Sequence, residues 1–148
     1  LYPELADHLD LEVEERAPLS KVRDAVLAIR RGKGMVLDSE DPDTNSAGSF
    51  FTNPFVEAEK VPDGAPSWKS GDGRVKVSAA WLIEHSGIKR GFGLGNAAIS
   101  SKHVLALTNP GSATAREVRE LADFCQKKVM ETFGIVLERE VRLVGFAQ

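Results

Sequence analysis

Val118, Leu121, Ala122, Cys125, Val129 and Phe133 recur at spacings of three and four residues. That period places them on one face of an α-helix and leaves an apolar stripe that something else in the chain has to cover. Both ends of this helix are marked. Thr114 and Glu117 stand in the pattern in which a threonine hydroxyl accepts from the first free backbone donors while a glutamate reaches back, and Gly134 suits a left-handed terminator. A helix is therefore expected over 114–134. With 148 residues, 42% of them hydrophobic, the chain can form one compact domain or two small ones that bury roughly two-thirds of the unfolded surface. Disorder is excluded on the same grounds.

A second helix is expected over 20–31, with Val22, Val26 and Ile29 on one side and Gly32 as its terminator. Residues 104–107 form an apolar run that ends at Asn109-Pro110-Gly111 and reads as a strand before a turn. Residues 135–144 read as a closing strand, with Leu137, Val141 and Leu143 on one face and Glu138, Glu140 and Arg142 on the other. A short helix over 79–84 is expected after a strand over 74–77. Residues 53–73 hold three prolines and three glycines and read as irregular surface chain. Helices and strands do not alternate regularly, so the expected class is α+β, with small mixed sheets and packed helices.

Charge and cysteine content narrow the function. With 19 basic and 22 acidic residues the net charge is −3, so no basic field is available to hold nucleic acid or an anionic membrane. The lone Cys125 excludes an internal disulfide and a multi-cysteine metal cluster, which fits a reducing compartment. No apolar run is long enough to span a bilayer, and the N-terminus lacks the pattern of a signal peptide. A cytoplasmic protein is expected. The chain opens on Leu1 without a methionine, and its first eleven residues read as the middle of something longer, so a fragment is expected.

Residues 45–54, Asn-Ser-Ala-Gly-Ser-Phe-Phe-Thr-Asn-Pro, are the most unusual stretch. Gly48 permits close approach of a ligand to the backbone, Ser49 offers a hydroxyl where the chain becomes extended, and Asn53-Pro54 enforces a turn. The simpler physical reading is a loop entering a buried strand. Gly91, Gly93 and Gly95 resemble a dinucleotide fingerprint only superficially, because no helix-forming pattern follows them promptly, so a structural role is expected there. His8, His85 and His103 are scattered and build no metal site. Cys125, on the helical stripe, reads as a core thiol. Glu140 has Glu138 and Arg142 as its neighbours on one strand face, a setting that tunes proton affinity or is simply a solvated surface.

Four segments then add a resemblance. GSFFTNP at 48–54, KVSAAWLIEHSGIKRG at 76–91, AAISSKHVLALTN at 97–109 and LEREVRLVG at 137–145 occur in an order that resembles the C-terminal part of the UDP-N-acetylenolpyruvoylglucosamine reductases. The resemblance implies a flavoprotein of peptidoglycan precursor synthesis, in which NADPH reduces FAD and the flavin reduces the enolpyruvyl ether of UDP-N-acetylglucosamine. It implies three regions: 1–33 as the tail of an FAD-binding domain, 34–134 as the substrate domain, and 135–148 as a strand returning to the N-terminal domain.

The same resemblance implies roles for single residues. Ser49 matches the family's proton donor, and Glu140 a carboxylate that assists the enolic intermediate. Gly48, Arg30 and Arg142 fall at the flavin side. Tyr2, Lys33, Asn53 and His103 match positions that contact the substrate, Tyr2 and Lys33 at its diphosphate. Most of the flavin site would lie in the absent N-terminal region, so the fragment alone is expected to be inactive. A catalytically idle nucleotide-sugar binding module is the alternative reading.

Overall fold

The computed structural model describes residues 3–12 and 15–146. Helices α1 (Pro3–Leu9) and α2 (Leu19–Gly32) open the chain, α3 (Ala79–His85) lies in its middle and α4 (Ala115–Phe133) near its end. The strands are β1 (Ser46–Ser49), β2 (Phe55–Val56), β3 (Ser67–Lys69), β4 (Val75–Val77), β5 (Gly93–Leu94), β6 (Ala97–Ile99) and β7 (Ala106–Thr108). They form a four-stranded antiparallel sheet in the order β1-β7-β6-β5 and a three-stranded one in the order β2-β4-β3. The arrangement is α+β.

Helix α4 organises the core as its pattern requires. Thr114 Oγ1 accepts from the Glu117 N–H at 3.2 Å, the Glu117 carboxylate accepts from the Thr114 N–H at 2.8 Å, and Gly134 ends the helix at φ 67°. Leu121, Ala122, Cys125 and Val129 are buried along one stripe, packed with Leu82 and Ile83 of α3 and Ile99 and Leu107 of the larger sheet. Burial pushes the Cys125 thiol up to about 12, so it stays protonated and inert. Among the described residues no helix is long and apolar enough to cross a membrane.

Several expectations need correction. Residues 135–144 form no strand. Among the described residues their only ladder contact is a single antiparallel bridge between Arg139 and Phe51, because the stretch touches the body along one edge and has no partner there on the other. Leu143 also departs from the apolar face and is 37% exposed. Residues 53–73 are more regular than their prolines suggest, since β2 and β3 both pair with β4. Pro54, Pro62 and Pro66 fall outside those strands, where no ladder donor is needed. The run at 104–107 enters its strand two residues late, because Ala106 N–H first closes a turn on the His103 carbonyl at 3.0 Å.

Helix α2 runs through Gly32. Its terminating glycine is instead Gly34, which takes φ 66°, with the Gly34 N–H donating to Arg31 O at 3.0 Å and the Met35 N–H donating to Arg30 O at 2.8 Å. These two bonds make a left-handed glycine termination and leave Lys33 as the C-cap. The glycines of 91–95 serve a hairpin in which Leu94 pairs with Ala97 around Gly95-Asn96.

Candidate active site

Ser49 closes β1. The strand carries a register irregularity between Ser46 and Ser49, and Gly48 within it holds φ 79°, which favours glycine. A side chain at Gly48 would meet nothing within 4 Å, so it is the backbone conformation, and not crowding, that requires glycine. Just past Ser49 the aromatic pair divides the work of anchoring: Phe50 and Phe51 are both buried, their rings 5.4 Å apart.

Three distant segments meet at the backbone of Phe50. Its N–H donates to the Leu105 carbonyl at 2.8 Å, and its carbonyl accepts from the Glu140 N–H at 2.9 Å. The Leu105 N–H in turn donates to His103 Nδ1 at 3.1 Å. His103, Leu105, Phe50 and Glu140 are thus joined by consecutive hydrogen bonds, with Ser49 adjacent to the central residue. Ser49 itself lies opposite Ala106 of β7. The fold therefore brings Gly48, Ser49, Glu140 and the loop of His103 to one edge of the larger sheet.

His103 is half-buried, and this desolvation is the main cause that lowers its proton affinity; the charges of Lys33 and Arg90 act in the same direction against Glu84 and Glu4. Accepting at Nδ1 fixes the neutral ring with its proton on Nε2, which leaves a donor for a ligand. The loop that carries it is tied down at Asp43, whose carboxylate accepts from Ser101 N–H at 2.8 Å and Ser101 Oγ at 2.6 Å. Burial opposes ionisation of Asp43, but these bonds outweigh it and hold the carboxyl below its usual range. Lys102 pairs with Asp41 beside it.

The remaining candidates are placed less centrally. Lys33, at the end of α2, pairs with Glu4 of α1 at 2.5 Å and lies close enough to His103 to act on its charge. Arg30 Nη2 donates to the Met35 carbonyl at 3.4 Å, so in this structure it holds the turn that follows its own helix. Asn53 Oδ1 accepts from the Ala79 N–H at 2.9 Å, which together with Ser78 satisfies the first turn of α3. Arg142 is exposed two residues beyond Glu140. Tyr2 lies outside the described residues. A groove of about 400 Å³ runs beside β1, lined by Ala47, Phe50, Leu107 and Val118 with Asn45 and Asn109, and no charged side chain lines it.

Sequence reasoning missed Arg139. It shares the parity of Leu137 and Val141, and it is a cation in an apolar row. Its guanidinium reaches α4, where Nη2 donates to the Asp123 carboxylate and to Gln126 Oε1 at 2.8 Å. The interruption of the apolar row was the signal available in the sequence.

The sequence profile of the UDP-N-acetylenolpyruvoylglucosamine reductase C-terminal domain matches residues 40–144. The chain is 52% identical over 147 residues to a protein of that name from Cutibacterium acnes, covering 97% of this chain and 39% of the relative. It is 48% identical over 157 residues to one from Thermobifida fusca, covering 97% and 44%. A solved reductase from Thermus caldophilus aligns at 26% identity and a TM-score of 0.46, over 86% of this chain and 36% of that one. The chain spans under half the length of the relatives it matches.

Proposed function

Because this chain belongs to the family of UDP-N-acetylenolpyruvoylglucosamine reductase C-terminal domains, we propose that it carries the proton-handling part of an NADPH- and FAD-dependent reduction of UDP-N-acetylglucosamine enolpyruvate to UDP-N-acetylmuramate. This is a cytoplasmic step of peptidoglycan precursor synthesis, in which a substrate alkene gains one hydride and one proton. The observation that carries the reading is the hydrogen-bonded chain from His103 through Phe50 to Glu140, with Ser49 beside it. The relatives are named reductases, which weighs against an idle sugar-nucleotide module.

The residues present fit a flavin in part. Gly48 has open space where a Cβ would stand, and the neighbouring groove is lined without charge, which suits a planar, largely apolar ring and not its phosphates. By the family resemblance Gly48 would approach the ring, and Arg30 and Arg142 would lie on the flavin side. The chemistry a bound flavin would supply is hydride for one alkene carbon, with NADPH as its reductant.

Charge then builds on the neighbouring carbon and its carboxylate. Ser49 is the proton source for that carbon. A serine hydroxyl is a weak acid, so its use rests on being held in one place against the reacting atom. The buried Phe50 and Phe51 and the β1–β7 pairing supply that rigidity. Glu140 assists the enolic charge. The Nε2–H of His103 and the ammonium of Lys33 are donors for the nucleotide sugar and its diphosphate, where a point charge suits a polyanion. Asn53 would reach the substrate only by leaving the Ala79 N–H that it now satisfies.

Incubating the full-length protein with NADPH and the enolpyruvyl sugar nucleotide, and weighing the product by mass spectrometry, tests the reading. A product heavier by two hydrogens is expected, and its formation should collapse in Ser49→Ala and Glu140→Gln. Undiminished turnover in both variants would reject it.

A further inference from the structure

Glu140 stands on an extended segment with slender support. Two backbone bonds, Glu140 N–H to Phe50 O at 2.9 Å and Thr52 N–H to Glu138 O at 3.0 Å, flank the single bridge between Phe51 and Arg139. Among the described residues no strand pairs with the segment's other edge, and Glu138, Glu140 and Arg142 are all exposed. The exposed side therefore cannot fix Glu140. The inward side can, because successive side chains on an extended chain point to opposite faces.

On that inward side Leu137 is fully buried, Val141 is half-buried, and Arg139 between them has its side chain only 22% exposed. A cation so placed is costly unless its donors are met. Asp123 and Gln126 both accept from its Nη2 on one face of α4, while the buried Nε has no partner among the described residues, and Gln126 Nε2 donates further to the Leu137 carbonyl at 2.6 Å. Two acceptors on one terminal nitrogen hold that end of the guanidinium against α4.

We propose that Arg139 is a positioning residue for the reaction: braced on Asp123 and Gln126 of α4, it locks the backbone of 138–140 against Phe50 and so turns the next side chain, Glu140, to the substrate side near Ser49. The proposal rests on the reading of Ser49 and Glu140 as the reacting pair. It makes the rigid helix α4, which supplies no reacting group, the template for the site.

The test is a double-mutant cycle in the full-length enzyme, read as the rate of flavin reoxidation by UDP-N-acetylglucosamine enolpyruvate. Arg139→Met should slow reoxidation on the order of tenfold to a hundredfold, since a misplacement of about 1 Å can cost about a hundredfold. The loss should fall on kcat with KM little moved, and Arg139→Lys, which keeps the pairing with Asp123, should recover part of it. In the Glu140→Gln background Arg139→Met should add no further loss, because the residue it positions is already disabled. Should Arg139→Met fail to accumulate as folded protein, Asp123→Asn takes its place, with the same non-additivity expected. Amide exchange should rise at Thr52 and Glu140 in either variant while β7 stays protected. Losses that multiply with that of Glu140→Gln, or a wild-type reoxidation rate in Arg139→Met, would overturn the proposal. A silent Glu140→Gln would instead defeat the reading of Glu140 itself, and the positioning role with it.

Discussion

Ser49 occupies a half-buried position at the end of a bulged strand, one residue from a buried phenylalanine whose two backbone groups bind separate segments. If it protonates the substrate, Ser49→Ala should leave flavin reduction by NADPH nearly intact and slow reoxidation by the enolpyruvyl substrate about a hundredfold to ten-thousandfold, the usual worth of a placed general acid. Stopped-flow measurement of the two half-reactions separates them, and equal reoxidation rates would remove Ser49 from the mechanism. His103 makes a pH prediction. Its proton affinity is lowered in the fold, so the unfolded chain takes up a proton first as the pH falls below about 6.5. Its contribution to stability is complete above that value and is lost as the pH drops through the folded pKa. The urea midpoint of the wild type should therefore fall more steeply on acidification than that of His103→Gln, and parallel pH profiles would contradict this.

At the scale of the element, α4 was legible because its signals are local. The hydrophobic period, the Thr114-Glu117 box and Gly134 all act within a few residues, and each formed as its chemistry requires. Thr114→Ala should cost about 1 kcal/mol in urea unfolding, and Gly134→Ala about 1–2 kcal/mol because φ 67° is strained for an L-residue. Glu117→Ala should cost more than Thr114→Ala. Its carboxylate also accepts from Asn96 N–H at 3.1 Å and Asn96 Nδ2 at 2.9 Å, so it pins the β5–β6 turn to the helix as well. A smaller effect at Glu117 would mean that this turn is held by its own pairing. The end of α2 was legible only to within two residues. The sequence pointed to Gly32, and only the bonds from Met35 and Gly34 back into the helix decide for Gly34.

Across the whole molecule the segment after α4 shows how packing overrides alternation. Ile135 and Leu137 enter the core at 3% and 0% exposure, whereas Leu143, in phase with Leu137, is 37% exposed. Leu137→Ala should therefore cost about 2–5 kcal/mol in thermal or urea unfolding, and Leu143→Ala no more than about 0.5 kcal/mol; comparable losses would show that the tail packs along its full length. Much was already determined by the sequence: the α+β class, the helix 115–133 and its inward stripe, the inert thiol, and the motifs by which the family is known. Those depend on neighbours in the chain or on chemistry written in single residues. Only the tertiary structure decided that 135–144 is braced and not paired, that Asn53 caps α3, that Arg139 reaches Asp123 and Gln126, and that His103 and Glu140 meet across Phe50. The reason is sequence distance. Phe50, Leu105 and Glu140 are joined by two backbone hydrogen bonds, and a backbone donor is the same in every residue except proline, so no side-chain pattern could announce which carbonyl it would find.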